Sequence, residues 1–431
     1  MYRFISESRS QRFFHALSAP AILALVACGQ APEQGAPGAA PAAAPTSVVA
    51  YEGARLILGD GRAPIDNGVF TVDNGRFLAV GVAAAVPVPA GARRVDLSGM
   101  TVMPAIVDAH THLSTTREAL IADLRQRAYF GVGAAVSLGA DDATVPLALR
   151  NEVIPGAALY RSAGLGITAP EPGRREVHWV ETEEEARQAV QAEAARNVDV
   201  IKIWVDDRDG QYAKLSPELY RAVIQEAHRH GLRVTAHIFA LEDAKGLLRA
   251  GIDLFAHGVR DQDVDDEFVA LVRQSPNVVL VPNLPNRGVA VDMGWLAGSI
   301  PDDALAALQA NATDQPQARE AYGIQARNLK RLSDAGMTIA MGTDGNVAWA
   351  PHVEMEDMVA AGMTPAQVIV AATRNSALAA GIDDLGTIEP GKSADFVVLE
   401  ANPLEDIRNT RRIRSVYLRG AAIDRSGGAA D

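Results

Sequence analysis

Cysteine is nearly missing from this chain. Cys28 is the only one in 431 residues, which excludes an internal disulfide and leaves nitrogen and oxygen donors for any metal site. A basic excess is missing too: 40 Lys and Arg stand against 53 Asp and Glu, a formal charge of -13. Such a chain is repelled by nucleic acid and by anionic membrane surfaces, so neither is an expected main partner. The mostly apolar stretch over residues 13–27 is too short to span a bilayer comfortably, and no repeat of solenoid type is present. What is there, 48% apolar residues over this length, suffices for one large core with a smaller satellite.

Arg3, Arg9 and Arg12 beside that apolar stretch give residues 1–27 the pattern of a targeting segment. Its end, Leu25-Val26-Ala27-Cys28, resembles the lipobox of bacterial lipoproteins, which implies that Cys28 is lipidated and anchors an exported protein to a membrane. Gly29 stands where aspartate is the inner-membrane retention signal, so the expectation is the periplasmic face of the outer membrane or the cell surface. Residues 28–47 are Ala, Pro, Gly and Gln with little charge and read as an extended tether.

From 48 to 104, short β-rich runs such as Arg55-Leu56-Ile57-Leu58 and Val69-Phe70-Thr71-Val72 end in turn signals. Similar runs return in Phe396-Val397-Val398-Leu399 and Ser415-Val416-Tyr417-Leu418. Segments 48–104 and 384–425 are therefore expected to combine into one small discontinuous β-sandwich, followed by a tail over 426–431. Between them, residues 105–383 alternate β-branched runs with amphipathic helices, as parallel βα units do. Thr182 with Glu185, Ser216-Pro217 and Thr364-Pro365 mark helix starts. Gly231 and Gly336 mark helix ends. Candidate strands fall near 101–108, 132–138, 157–162, 198–205, 232–237, 252–257, 278–283 and 337–343. Eight such units predict an α/β fold, a (β/α)8 TIM barrel.

In Val107-Asp108-Ala109-His110-Thr111-His112 the two histidines are two apart on a strand, so both leave the same face and can converge on one ion. Lys202 lies in the middle of Val198-Asp199-Val200-Ile201-Lys202-Ile203-Trp204-Val205, where a buried ammonium is costly unless paired or chemically altered. His237, His257 and Asp344 each end a later strand, the end at which this fold carries its catalytic groups. His-x-His on strand one, Lys on four, His on five, His on six and Asp on eight is similar to the binuclear amidohydrolase superfamily, nearest its imidazolonepropionase-like and prolidase-like branch.

The resemblance implies that His110, His112 and Asp344 bind one divalent metal ion, that His237 and His257 bind a second, and that Lys202, carboxylated by CO2, bridges the two. It further implies a metal-bridging hydroxide that attacks the carbonyl of a small-molecule substrate, with Asp344 relaying the proton. Zinc is the expected metal, because it accepts histidine and carboxylate ligands without redox chemistry. The activity so implied is hydrolysis of a non-aromatic amide in a dipeptide, an N-acyl amino acid or a cyclic amide.

A lactone or ester hydrolase is the alternative on the same site; a non-catalytic ligand-binding lipoprotein and a metal-dependent isomerase or decarboxylase are the other classes. Arg208, Arg260 and Arg287 are candidates to hold a substrate carboxylate; His352, in a proline-bearing loop beyond Asp344, is a candidate substrate contact, and Asp206 and Asn283 lie in loops after strands from which they could also touch substrate. Ile238-Phe239-Ala240 after His237, and Ala256 before His257, depart from the prolidase-like pattern.

Overall fold

In the computed structural model, which describes residues 47–141 and 147–428, the first and last strands meet in one sheet. Its early members are β1 (Val49–Leu56), β2 (Ile65–Asp73), β3 (Arg76–Val82), β4 (Arg93–Asp96) and β5 (Thr101–Pro104). β1, β2 and β3 pair antiparallel in order. The turn between β2 and β3 is Asn74-Gly75, with φ of +47° and +76°. Two left-handed residues match the twist of the flanking strands, which is why this dipeptide closes the hairpin. β4 and β5 lie parallel to successive halves of β1.

Ala105 then breaks the expected 101–108 run in two: its backbone N–H bonds to the Asp395 carbonyl, and β6 (Ile106–Thr111) begins a new sheet. β6, β7 (Val132–Ser137) and β8 (Leu159–Ser162) are parallel neighbours. A second parallel sheet holds β9 (Gly166–Thr168), β10 (Val177–Trp179), β11 (Ile201–Val205), β12 (Val234–Ile238), β13 (Leu254–Ala256), β14 (Val279–Val281) and β15 (Thr338–Ile339), in the order β10-β9-β11-β12-β13-β14-β15. The two sheets are joined at both margins. Asp199 N–H bonds to the Ser162 carbonyl at 2.9 Å on one side, and Ala109 N–H to the Met341 carbonyl at 3.0 Å on the other.

Helices alternate with these strands: α1 (Arg117–Tyr129) after β6, α2 (Glu183–Ala195) before β11, then α3 (Pro217–Arg229), α4 (Leu241–Ala250), α5 (Asp266–Gln274), α6 (Asp302–Asn311), α7 (Pro316–Asp334) and α8 (Ala350–Ala360). Thr182 and Glu185 form the reciprocal capping box at α2, and Ser216 caps α3 ahead of Pro217. These ends satisfy backbone N–H groups that the helix itself cannot.

β16 (Phe396–Leu399), β17 (Ile413–Leu418) and β18 (Ala421–Ala422) return the chain to the first sheet, β16 pairing antiparallel with β5. The result is one hydrogen-bonded sheet of eight strands, with β4 branching from β1. Its core is aromatic: Tyr51 stacks on Phe70 at 4.8 Å and Phe396 meets Phe70 edge-on at 5.0 Å. The targeting segment, Cys28 and the tether up to residue 46 lie outside the described residues, as do 429–431. Among the described residues no helix is long and apolar enough to cross a membrane.

Candidate metal centre

The site sits where β6, β12, β13 and the stretch after β15 end. His110 is the fifth residue of β6 and His112 follows its end. Backbone bonds draw the other margin to them: Thr343 and Asp344 both donate N–H to the His110 carbonyl, at 2.9 and 2.8 Å. Gly342 makes that approach feasible, because a Cβ there would fall 2.6 Å from Val281 Cγ1 and 2.8 Å from the backbone nitrogen of His110. Asp108 clamps the same margin by accepting from the Thr343 hydroxyl at 2.8 Å.

Asp344 is thereby set among three histidines. Its Oδ1 lies 3.1 Å from His110 Nε2 and 3.0 Å from His112 Nε2, and its Oδ2 lies 3.5 Å from His257 Nε2. Among the described residues, His110, His112 and Asp344 form a group whose ligand atoms fall within 4.8 Å of one another. The His257 ring stands 5.2 Å from that of His110 and 4.6 Å from that of His237. His237 turns its Nε2 to Asp206 Oδ2 at 2.9 Å. Asp344 and His257 hold φ of +55° and +84°, a region costly for residues with a Cβ and concentrated at functional sites.

The Nδ1 of His110 is 2.9 Å from Asn283 Oδ1. The amide oxygen can only accept, so the ring proton sits on Nδ1 and the Nε2 lone pair faces a carboxylate oxygen. Burial pushes the His110 pKa down to about 4, reinforced by the charge of Lys202, so the ring is neutral near pH 7. Two lone pairs then oppose each other at 3.1 Å, an arrangement that a cation between them resolves. Buried His110 Nε2, His112 Nδ1, His257 Nδ1 and Lys202 Nζ all lack hydrogen-bond partners among the described residues. This donor set fits a divalent metal.

Burial also holds His257 well below the usual imidazole range and His237 at about 4, the latter against the opposing hydrogen bond to Asp206. For Asp344, burial alone would raise the pKa; the imidazoles gathered around it outweigh that and keep the carboxylate ionised. Lys202 is buried in β11, its Nζ 5.4 Å from the Trp204 ring centroid. Burial drives it down to about 7, opposed by Asp344 and assisted by Arg174, Arg260 and Arg208.

The substrate-side candidates separate sharply. Arg208 is committed to Glu171 at 3.2 Å and Asp206 at 2.9 Å, and Arg287 to Glu356 at 2.7 Å and Asp357 at 2.6 Å. Neither is a free clamp. His352 is buried in α8 and points away from the cluster, its nitrogens engaged by the Thr410 hydroxyl at 3.0 Å and the Phe130 carbonyl at 2.9 Å. Its place in a helix packed against the end of α1 replaces the loop position expected of it. Arg260 alone of these four makes no side-chain hydrogen bond or ion pair with the described residues, and its buried Nε is unpartnered.

Sequence reasoning named Asp206 and Asn283 only as loop residues that could meet substrate; their contacts with His237 and His110 emerge in three dimensions. The available signal was position, since each lies just past a strand end beside a ligand-bearing strand. Arg127 gave no signal: it is buried in α1 and donates to Asn346 and Gly345, bracing the loop after Asp344.

Comparison with known proteins places these observations. The amidohydrolase family model matches residues 101–423. Ochratoxinase of Aspergillus niger is 27% identical over 309 residues, covering 64% of this chain and 60% of that protein; the chain thus spans about 60% of the length of that curated relative. Imidazolonepropionase of Deinococcus radiodurans is 26% identical over 386 residues, 83% of this chain and 92% of the relative. The solved structure of a candidate prolidase from Bifidobacterium longum superposes with a TM-score of 0.74 at 28% identity, over 89% of this chain and 96% of that one. A Xaa-Pro dipeptidase structure, at 21% identity and a TM-score of 0.70 over 87% of this chain and 99% of its own, shares the fold.

Proposed function

Because this chain belongs to the amidohydrolase family, we propose that it hydrolyses a non-aromatic amide bond of a small molecule at the centre formed by His110, His112, Lys202, His237, His257 and Asp344. The observation that carries this reading is the opposed pair of lone pairs on buried His110 Nε2 and on Asp344 Oδ1, 3.1 Å apart. The two parallel sheets, hydrogen-bonded at both margins, support reading residues 105–383 as one closed (β/α)8 barrel. The sheet built from 48–104 and 384–425 is then its satellite domain, curled at β1 in the manner of a small sandwich.

His110, His112 and Asp344 would hold one ion, and His237 with His257 a second. Lys202, its pKa brought down to about 7 by burial, has a substantial uncharged, nucleophilic fraction near neutral pH that can take up CO2, and as a carbamate it would supply the anionic bridge between them. Divalent ions, zinc first among them, would acidify water and polarise the substrate carbonyl when bound there. Asn283 fixes the tautomer of His110, and Asp206 orients His237. Asp344, ionised and within reach of three imidazoles, accepts the proton of the attacking water and returns it to the leaving nitrogen.

Metal analysis of the purified protein, combined with turnover of a dipeptide and N-acyl amino acid library, tests the reading. Lys202→Ala is expected to lose both metal loading and turnover; a fully active, fully loaded variant would sink the binuclear centre. We further propose that Cys28 anchors the enzyme to a membrane facing the periplasm or the exterior, supported by Leu25-Val26-Ala27-Cys28. Cys28→Ser should then shift the protein from the membrane fraction to the soluble one.

A further inference from the structure

Glu171-Pro172-Gly173-Arg174 follows β9 and folds back on itself. Gly173 holds φ of +102°, and the Arg174 N–H closes the turn on the Glu171 carbonyl at 3.1 Å. Proline second and glycine third suit such a turn, because its third residue needs a positive φ. The turn brings the two outer side chains together, with Arg174 Nη1 3.0 Å from Glu171 Oε2. The guanidinium then lies over the Trp204 ring, 3.7 Å from its centroid, where cation and ring attract.

Trp204 is held closely. It stands two residues past Lys202 on β11, so both side chains leave the same face of the strand. A Cβ at Gly166 would fall 2.0 Å from the indole, and one at Gly139 would fall 2.6 Å from the indole and 2.7 Å from Lys202 Cγ. Backbone thus presses on both residues, and Lys202 Nζ ends 5.4 Å from the ring centroid.

The second oxygen of Glu171 reaches a different loop. β9 and β11 are parallel neighbours, so the loops that follow them leave at the same end of the sheet. Glu171 Oε1 lies 3.2 Å from Nε of Arg208, which holds φ of +54°. That conformation is costly for a residue with a Cβ. Asp206 secures it by accepting from the Arg208 backbone N–H and from its Nη1, both at 2.9 Å. Asp206 Oδ2 also faces His237 Nε2 at 2.9 Å. A carboxylate only accepts, so the ring proton sits on Nε2 and the Nδ1 lone pair is left to act as ligand.

The contacts run unbroken from His237 through Asp206, Arg208, Glu171 and Arg174 to the indole beside Lys202. We propose that Glu171 is a positioning residue for one half of the metal centre: by holding Arg174 and Arg208 at once, it straps the loop after β9 to the loop after β11 and fixes His237 and Lys202. No hydrogen bond or ion pair among the described residues joins this strap to His110, His112 or Asp344, which are tied instead to one another and to Asn283. The proposal rests on the binuclear reading above and adds the device that holds the second ion's ligands. Arg174 and Arg208 also feel each other's charge, so losing the anion between them turns attraction into repulsion.

The test uses full-length protein with zinc as the probe. Glu171→Gln keeps the shape of the side chain and removes its charge. In competition with a calibrated chelator the parent protein should take up two zinc ions. Glu171→Gln should bind one of them about 10-fold more weakly, the lower end of what partners of metal-binding histidines contribute, and the other as tightly as the parent does. Arg208→Met, which cuts the next link, should weaken the same single ion, and the double variant should be no worse than the weaker single one. Amide hydrogen exchange in the metal-free Glu171→Gln protein should quicken over 169–176 and 206–212 while the barrel strands keep their protection. Should those strands lose protection, Arg208→Met carries the same prediction by itself. Two ions weakened alike, two ions held as tightly as in the parent, or additive losses in the double variant would overturn the strap and leave the binuclear centre standing. A parent protein that takes up fewer than two zinc ions overturns the binuclear reading and the strap with it.

Discussion

Asn283 offers the most separable test of how the centre is held. It sits two residues past β14 with φ of +45°, and its side chain meets His110 at 2.9 Å. Two effects overlap at this position: the hydrogen bond that fixes the imidazole tautomer, and a left-handed backbone that asparagine tolerates better than most residues. Asn283→Gly keeps the backbone comfortable and removes the hydrogen bond. Partners of metal-binding histidines typically matter by 10- to 100-fold in affinity, which is about 1.4 to 2.7 kcal/mol. Asn283→Ala loses the same bond and adds about 1 kcal/mol of backbone strain, read in the unfolding of the metal-free protein rather than in metal affinity. Asn283→Asp retains an acceptor and should restore binding. Zinc affinity by competition with a calibrated chelator, together with urea unfolding of the apoprotein, resolves the two effects. If Asn283→Gly binds zinc as tightly as the parent protein, the tautomer argument is wrong.

Two further perturbations follow. Burial holds His352 at about 4 against about 6.5 in the unfolded chain. Between those values the unfolded state binds a proton that the folded state refuses, so stability is present above about pH 6.5 and lost as pH falls through 4, by on the order of 3 kcal/mol. His352→Gln should flatten that acid limb in urea titrations at pH 7.5, 6 and 4.5, and an unchanged slope would contradict it. Gly342→Ala places a methyl against Val281 and the backbone of His110; overpacking of this kind costs roughly 1–3 kcal/mol. A lower thermal midpoint with weakened zinc binding is expected, and unaltered zinc affinity would show that the approach of the two margins is not tight.

Much of this was legible because parallel strands buried on both faces write themselves as apolar runs. Ile201 to Val205 is buried throughout, and Lys202 stands out within it for the same reason that it matters. The ligand-bearing residues were legible by their offset from strand ends. β9 and β10 were not: each has three residues, too short for periodicity to register, and β10 pairs with β9, which alone of the two lies beside β11. The division of 101–108 was also invisible, because Thr101 to Pro104 and Ile106 to Thr111 are equally buried and differ only in which sheet receives them. His352 looked like a loop residue because Pro351 precedes it; proline instead occupies the first turn of α8, where a missing N–H costs nothing. The arginines differed only in their partners, which lie far off in sequence.

The pairing of Phe396 with Pro104 and of Leu399 with Thr101 has a consequence for how the chain comes into being. The site-bearing strands are threaded between two neighbouring strands, so β5 stays unpaired on one side until β16, nearly 300 residues later, has been made. Contacts this remote form slowly, and a bare strand edge recruits other chains. A chain interrupted before β16 would therefore carry an adhesive seam along β5, whatever the state of the strands that hold the site.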